Sequence, residues 1–256
     1  MSSAGQKAIV AGATGSLGRL IVQTLLDDPR VDHVTAVVRK PVSPEKAQEL
    51  WGNNINTKLT QHSVQYNQLV QENGHGPMTE QTQQAFRGHT AFLTALGAYS
   101  GRATEAEMDM VETSYNTSLA KIAASCNVAR GAYMSGQGVK QPALEGRAFA
   151  AFGRVKGRTE ESLAHLFPQG HFSVRPGAIF DRPGPPVYGF LDGTLLKSPI
   201  FQWLKDTSFG ISAHDIAKGM VQGALFDKDK TGNVIWENNE VREAARRYDA
   251  NLPAKQ

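Results

Sequence analysis

Lys7-Ala8-Ile9-Val10-Ala11-Gly12-Ala13-Thr14-Gly15-Ser16-Leu17-Gly18-Arg19-Leu20 is a short apolar run that passes straight into three glycines. An apolar helical pattern with Leu20, Ile21, Leu25 and Leu26 follows without a break. Strand, glycine turn and helix in this order are what a dinucleotide diphosphate requires. One glycine turns the strand tightly, one lets the backbone approach the phosphates, and one lets helix and strand pack closely. The helix N-terminus then offers unpaired N–H groups and the positive end of its dipole to the anion. The stretch therefore predicts nucleotide binding by Gly12, Thr14, Gly15, Ser16, Leu17 and Gly18. The competing reading is a tight turn with no ligand.

Working outward, Asp27-Asp28-Pro29-Arg30 breaks the helix, and His33 to Val38 reads as a buried second strand ending in Arg39-Lys40. In a Rossmann unit the end of this strand faces the adenosine ribose. A carboxylate there hydrogen-bonds the 2′-hydroxyl of NAD, whereas arginine pairs with the 2′-phosphate of NADP. Neither Asp nor Glu occupies the strand end, so Arg39 and Lys40 predict NADP(H) as cofactor. A solvated basic pair after a strand is the alternative.

Composition bounds the remaining classes. A chain of 256 residues suits one large α/β domain. A net charge of +3, carried by scattered basic residues, does not favour nucleic acid as a partner. Nothing approaches about 18 uninterrupted apolar residues, and Met1 to Gln6 lacks a signal-peptide core, so no membrane partner is expected. The lone Cys126 sits in an apolar, helix-like stretch and reads as a buried, inert thiol in a reducing, cytoplasmic compartment.

Strand and helix patterns then alternate, the signature of parallel βαβ units. The stretch 43–83 is Gln- and Asn-rich and carries Trp51. It reads as an exposed insertion around a third strand at Leu59 to Tyr66, with helical pieces at Leu69-Val70 and Thr79 to Phe86. Thr90 to Gly97 reads as the fourth strand. Glu105 to Ser125 reads as a helix whose stripe is Met108, Val111, Tyr115, Leu119 and Ile122. Val128 to Ser135 reads as the fifth strand, about Ala148 to Leu166 as a helix, and Phe172 to Arg175 as the sixth strand. A helix at Ile216 to Phe226 and a strand at Asn233 to Trp236 follow, and the charged tail from Arg242 to Gln256 is expected to fray. The whole predicts a doubly wound parallel α/β sheet in a single domain over 1–256, with 187–241 as a small substrate-side lobe. The cofactor is expected across the carboxyl ends of the first and fourth strands, where strand order reverses. Each histidine reads as a surface or satisfied core residue, and no His/Cys cluster has metal-ligand spacing.

The order of these parts resembles the short-chain dehydrogenase/reductase superfamily, and within it the atypical branch that includes the Tat-interacting-protein oxidoreductase. The residues carrying the resemblance are Gly12 to Arg19, Val38-Arg39-Lys40, Leu96-Gly97, Val155-Lys156-Gly157, Arg175-Pro176-Gly177 and Ile211 to Ala217, spanning about 7–226. The resemblance implies an NADP-dependent oxidoreductase acting on a small carbonyl substrate, with a protein partner or homo-oligomer left open. It puts Leu96 and Gly97 beside adenine and ribose, and Pro176 and Gly177 beside the nicotinamide.

The family's chemistry uses a tyrosine four residues before a lysine, with a serine on the preceding loop. Lys156 and Ser135 match the lysine and serine, although a one-residue shift puts Gly136 at the serine position. Phe152 stands where the tyrosine would be and has no proton to give. Gln65 stands where an acidic residue near adenine is often found. Tyr99 and Tyr133 are the nearest replacement donors, and each also reads as a packing residue. Three functional readings follow: an NADP-dependent oxidoreductase with a degenerate or relocated acid, a catalytically impaired NADPH-binding sensor or scaffold, and a nucleotide-sugar epimerase relative.

Overall fold

The computed structural model describes residues 5–98, 103–139, 150–183 and 203–253. Strands β1 (Gln6–Ala11), β2 (Val31–Val38), β3 (Leu59–Ser63), β4 (Ala91–Thr94), β5 (Arg130–Met134) and β6 (His171–Val174) alternate with helices. Two short strands, β7 (Ala178–Phe180) and β8 (Gly210–Ser212), pair only with each other, and β9 is Asn233–Trp236. The main sheet has the order β3-β2-β1-β4-β5-β6-β9, and every pairing in it is parallel. This is a doubly wound Rossmann-type α/β fold. The strand order reverses between β1 and β4, which opens a crevice at their carboxyl ends.

The sequence of β1 shows why the sheet is covered on both faces. Ala8 to Ala11 are fully buried, as a central parallel strand demands. Side chains alternate across a strand, and here Ala8 and Val10 enter one core while Ile9 and Ala11 enter the other. The first core is closed by α1 (Ser16–Asp27), α2 (Pro44–Trp51), α9 (Ala213–Val221) and α10 (Asn238–Ala250). The second is closed by α4 (Tyr66–Glu72), α5 (Pro77–Phe86), α7 (Asn116–Ser125) and α8 (Ala150–Leu166). Short α3 (Ile55–Lys58) and α6 (Glu105–Met108) complete the described α-helices, and π-helical segments occupy Asp109–Tyr115 and Gln222–Phe226.

Several expectations are corrected. The stretch 43–83 is not an exposed insertion, because Ala47, Leu50 and Trp51 of α2 are buried in the first core. Ser43 caps that helix by accepting from Lys46 N at 3.3 Å, with Pro44 opening it. The third strand ends at Ser63, and Tyr66 begins α4. The tail does not fray from Arg242: α10 runs to Ala250 and buries Val241, Ala244, Ala245 and Tyr248. Its apolar spacing is helical, but high charge between those positions hides the stripe. The segment 187–241 is divided among its described residues. β8 lies outside the main sheet, whereas α9 and β9 belong to its core layer and its edge. Cys126 is half-buried; its thiol lies 3.4 Å from the Gln83 carbonyl, and burial pushes its pKa up.

His171 departs from the expected satisfied histidine. It is fully buried at the start of β6 and stacked on Phe167 with 6.4 Å between ring centroids. Its Nε2 meets Ser173 Oγ at 3.2 Å, while Nδ1 has no partner among the described residues. Burial pushes its pKa down to about 3. Below the ordinary histidine value the unfolded chain takes up a proton that the folded chain refuses, so this stability is present near neutrality and lost as pH falls. Between pH 7 and 4.5 the loss from this group should be about 2–3 kcal/mol. Urea unfolding at both pH values checks it, since His171→Phe should remove that share of the acid sensitivity and an unchanged slope would refute it.

Candidate functional site: a nucleotide cradle beside two buried carboxylate networks

The glycine turn divides its labour as the spacing demands. Gly12 has φ +75°, and a Cβ there would stand 2.8 Å from the Ala95 carbonyl carbon and Leu96 nitrogen. Its carbonyl accepts from Gly15 N at 2.9 Å, closing the turn. A Cβ at Gly18 would lie 2.0 Å from Gly12 O, so only glycine lets α1 start this close to β1. Gly15 stands at the exposed N-cap of α1, where no side chain caps the helix. The first-turn N–H groups of Ser16, Leu17 and Gly18 have no intrahelical partner by construction of an α-helix. Thr14 is exposed, Ser16 half-buried, and the Leu17 side chain is buried. Trp51 braces the turn from below, its Nε1 donating to Ala13 O at 3.0 Å. The turn's reading from sequence missed this brace.

Arg39 and Lys40 follow β2 directly and are both exposed. Arg39 O accepts from Ser63 Oγ at 3.2 Å, and the guanidinium is near enough to Tyr66 to oppose the burial that pushes that phenol up to about 12. Gln65 is exposed at the start of α4. Arg19, in the first turn of α1, donates from Nη2 to Pro183 O at 3.2 Å.

Beyond β4 the loop is held from beneath by the π-helical segment and α7. Asn116 Nδ2 donates to Leu96 O at 3.1 Å and to Glu112 O at 2.8 Å, while Thr94 Oγ1 donates to Asn116 Oδ1. Gly97 is exposed, and a Cβ there would come within 2.7 Å of Glu112 Oε1. Pro176 O accepts from Gln137 N at 3.0 Å, and Gly177 N donates to Asn238 Oδ1 at 3.1 Å. Ser212, in the Ile211 to Ala217 stretch, caps α9 by accepting from His214 N at 3.2 Å.

Lys156 and Ser135 are not joined to each other; each is taken by a different buried carboxylate. Lys156 Nζ donates to Glu112 Oε2 at 2.9 Å, to Tyr133 Oη at 3.2 Å and to Met134 O at 3.1 Å. An ammonium has three hydrogens, so these contacts use all of them. Tyr133 is fully buried and donates to Glu112 Oε2 at 2.8 Å; burial first, then the Glu112 charge, pushes its phenol well above the usual range. Its proton is therefore committed inside the protein. Ser135 donates to Glu160 Oε1 at 2.5 Å, and Arg175 grips the same carboxylate from Nε at 2.9 Å and Nη2 at 2.6 Å. Glu160 is fully buried, and its hydrogen bonds raise the Arg175 pKa. Phe152 is half-buried one turn before Lys156, with 5.3 Å from Lys156 Nζ to its ring centroid, and its Cζ would lie 2.9 Å from a Cβ at Gly136. The shared face follows from i,i+4 spacing. Tyr99 lies outside the described residues.

Sequence reasoning missed Glu112 and Glu160. Glu112 sits one turn after Met108 and so falls on the apolar stripe, which is a legible signal for a buried partner. Glu160 follows Lys156 by four residues on the inward face of α8.

Among the described residues, no helix is long and apolar enough to cross a membrane, and no group of three or more His, Cys, Asp or Glu could hold a metal ion. A doubly wound sheet whose switch point carries an uncapped helix N-terminus behind a glycine turn defines a nucleotide-binding protein of the Rossmann class. The chain belongs to the NAD(P)H-binding family, whose model matches residues 12–228. No curated protein sequence matches it. Among solved structures it is similar to a candidate NAD-dependent epimerase/dehydratase from Bacillus halodurans, at TM-score 0.64 and 15% identity over 95% of this chain and 100% of that one. It is also similar to a short-chain dehydrogenase/reductase from Serratia marcescens, at TM-score 0.63 and 13% identity over 93% of this chain and 98% of that one. A third is a tyrosine-to-phenylalanine variant of ElxO with NADPH bound, at TM-score 0.59 and 12% identity over 90% of this chain and 96% of that one. These likenesses establish the fold.

Proposed function

We propose that the protein binds NADP(H) at the 12–18 turn, with Arg39 and Lys40 at the 2′-phosphate, and that its carbonyl-reducing relay is disabled. It is an oxidoreductase by descent, resembling the Tat-interacting-protein branch of atypical short-chain dehydrogenases, and works chiefly as a cofactor-binding sensor or scaffold. The observation that carries this reading is the donor inventory beside Phe152. Every hydrogen of the Lys156 ammonium, the Tyr133 phenol and the Ser135 hydroxyl is directed to a protein acceptor. Phe152 has none to give. Bound NADPH would supply hydride chemistry at this place. The residues around it bind and orient the nucleotide without offering a proton to a carbonyl oxygen. General acid help is ordinarily worth about 10²–10⁴-fold in rate, so turnover should be slow by that margin. The ElxO variant, in which phenylalanine replaces a tyrosine, holds NADPH, which supports separating binding from turnover.

Thermal unfolding with NADPH and NADH titrated separately tests the binding. NADPH at a hundred times its Kd should stabilise the fold by about 2.7 kcal/mol, with NADH needing higher concentration for the same gain. No shift with either nucleotide refutes the binding claim, and equal shifts remove Arg39 from its role. Brisk reduction of ordinary carbonyl substrates would refute the disabled relay.

A further inference from the structure

The Glu112 carboxylate touches three separate elements. Oε1 accepts the Ala98 backbone N–H at 3.2 Å, from the loop that follows β4 at the switch point. Oε2 accepts from Tyr133 on β5 and from Lys156 on α8. The side chain is buried, 4% exposed, and Lys156 beside it is 7% exposed, so the pair is shielded from solvent screening. The same residue's backbone carbonyl accepts from Asn116 Nδ2 and from Thr159 Oγ1 at 3.0 Å. Glu112 also lies in the π-helical segment, a geometry that recurs at functional sites. The loop it holds packs closely on this carboxylate: a Cβ at Gly97 would stand 2.7 Å from Oε1, and Asn116 Nδ2 donates to Leu96 O at 3.1 Å.

We infer that Glu112 is a positioning residue for the nucleotide site, and that Lys156 acts on that site through Glu112 and not by touching the nucleotide. This rests on the proposed placement of the nucleotide beside Leu96 and Gly97. The physical chain is short. The Lys156 ammonium fixes Oε2, the rigid carboxylate plane carries that constraint to Oε1, and Oε1 fixes the Ala98 N–H and with it the loop beside the cofactor. A lysine whose three hydrogens all go to protein acceptors has no donor left for a ribose hydroxyl. Removing the lysine leaves a buried carboxylate without its counter-charge, and that carboxylate will turn towards any other donor or water and release the loop. Replacing the carboxylate by an amide presents an NH₂ to the Lys156 ammonium, two donors facing each other, and disturbs the same loop by another route.

The test is a double-mutant cycle on the full chain, with NADPH Kd read by fluorescence titration and the ligand-free Tm read separately. Lys156→Met and Glu112→Gln should each weaken NADPH binding about tenfold, within the usual range of coupling between sites. The double variant should bind no more weakly than either single one, because both changes cut the same route. If Lys156→Met does not fold, the comparison of Glu112→Gln with the double variant decides alone. The inference predicts less than about a twofold difference between them, whereas a lysine that touches the nucleotide predicts a further loss of about tenfold or more. That further loss overturns the inference, as does a set of variants whose Tm falls while Kd stays at the wild-type value, the signature of a purely structural pair. A wild type that binds no NADPH overturns the proposed function and this inference together. A wild type that binds, with variants that bind equally well, overturns the inference alone.

Discussion

Replacing Arg175 by methionine should destabilise the protein by about 3–5 kcal/mol, because it strips a buried carboxylate of its counter-charge. Arg175 is the bidentate partner of Glu160, which is fully buried on α8 and has the Ser135 hydroxyl as its other donor. Without the guanidinium, that carboxylate keeps one neutral hydrogen bond and no counter-charge. Two charge-assisted bonds are lost, and the desolvation cost of Glu160 is left uncompensated. Equilibrium unfolding in urea measures the loss. The double variant Arg175→Met with Glu160→Gln should recover most of it, because a neutral amide has far less to lose by burial. A single variant within 1 kcal/mol of wild type would mean that the pair adds nothing to the fold.

Gly18→Ala should cost about 3 kcal/mol and abolish NADPH-dependent stabilisation, whereas Gly15→Ala should abolish the stabilisation with little cost to the fold. The added Cβ at 18 would stand 2.0 Å from Gly12 O and 2.7 Å from Gly12 C. Both are backbone atoms, so relief requires moving α1 off β1, and overpacking of this kind is costly. At 15, φ is −70° and the Cβ meets Gly12 O at 3.2 Å, which a shift of a few tenths of an ångström relieves. Gly15 is itself exposed at the turn, where the backbone must approach phosphate, so an added methyl there obstructs the ligand. Urea unfolding with and without NADPH separates the two effects. A Gly15→Ala protein that still gains stability from NADPH would show that the nucleotide does not use this turn.

The first βα unit was legible because its signals are local. Ala8 to Ala11, Gly12, Gly15 and Gly18 are constrained by neighbours within a few positions, so spacing alone exposes what each must do. The alternation of βα units carried the same information along the chain, and the parallel sheet with its switch point between β1 and β4 follows from it. The basic pair after β2 and the i,i+4 relation of Phe152 to Lys156 were readable for the same reason.

What needed the tertiary structure is every contact made across elements. Trp51 reads as part of a polar insertion until α2 is seen lying on the first core with its indole under Ala13. α10 reads as a charged tail until Val241 is seen against Gly219 of α9 and Tyr248 donating to Thr24 O of α1. Lys156 and Ser135 read as catalytic while their surroundings are unknown. Their hydrogen bonds reach far along the chain: Lys156 donates to Glu112, 44 residues away, as well as to Tyr133 and Met134, and Ser135 donates to Glu160, 25 residues away. Local sequence specifies which groups are present and which face of a helix or strand they share, because periodicity is a property of the backbone. Which donor meets which acceptor depends on how those faces are brought together, and a buried charge takes whichever partner the packing supplies.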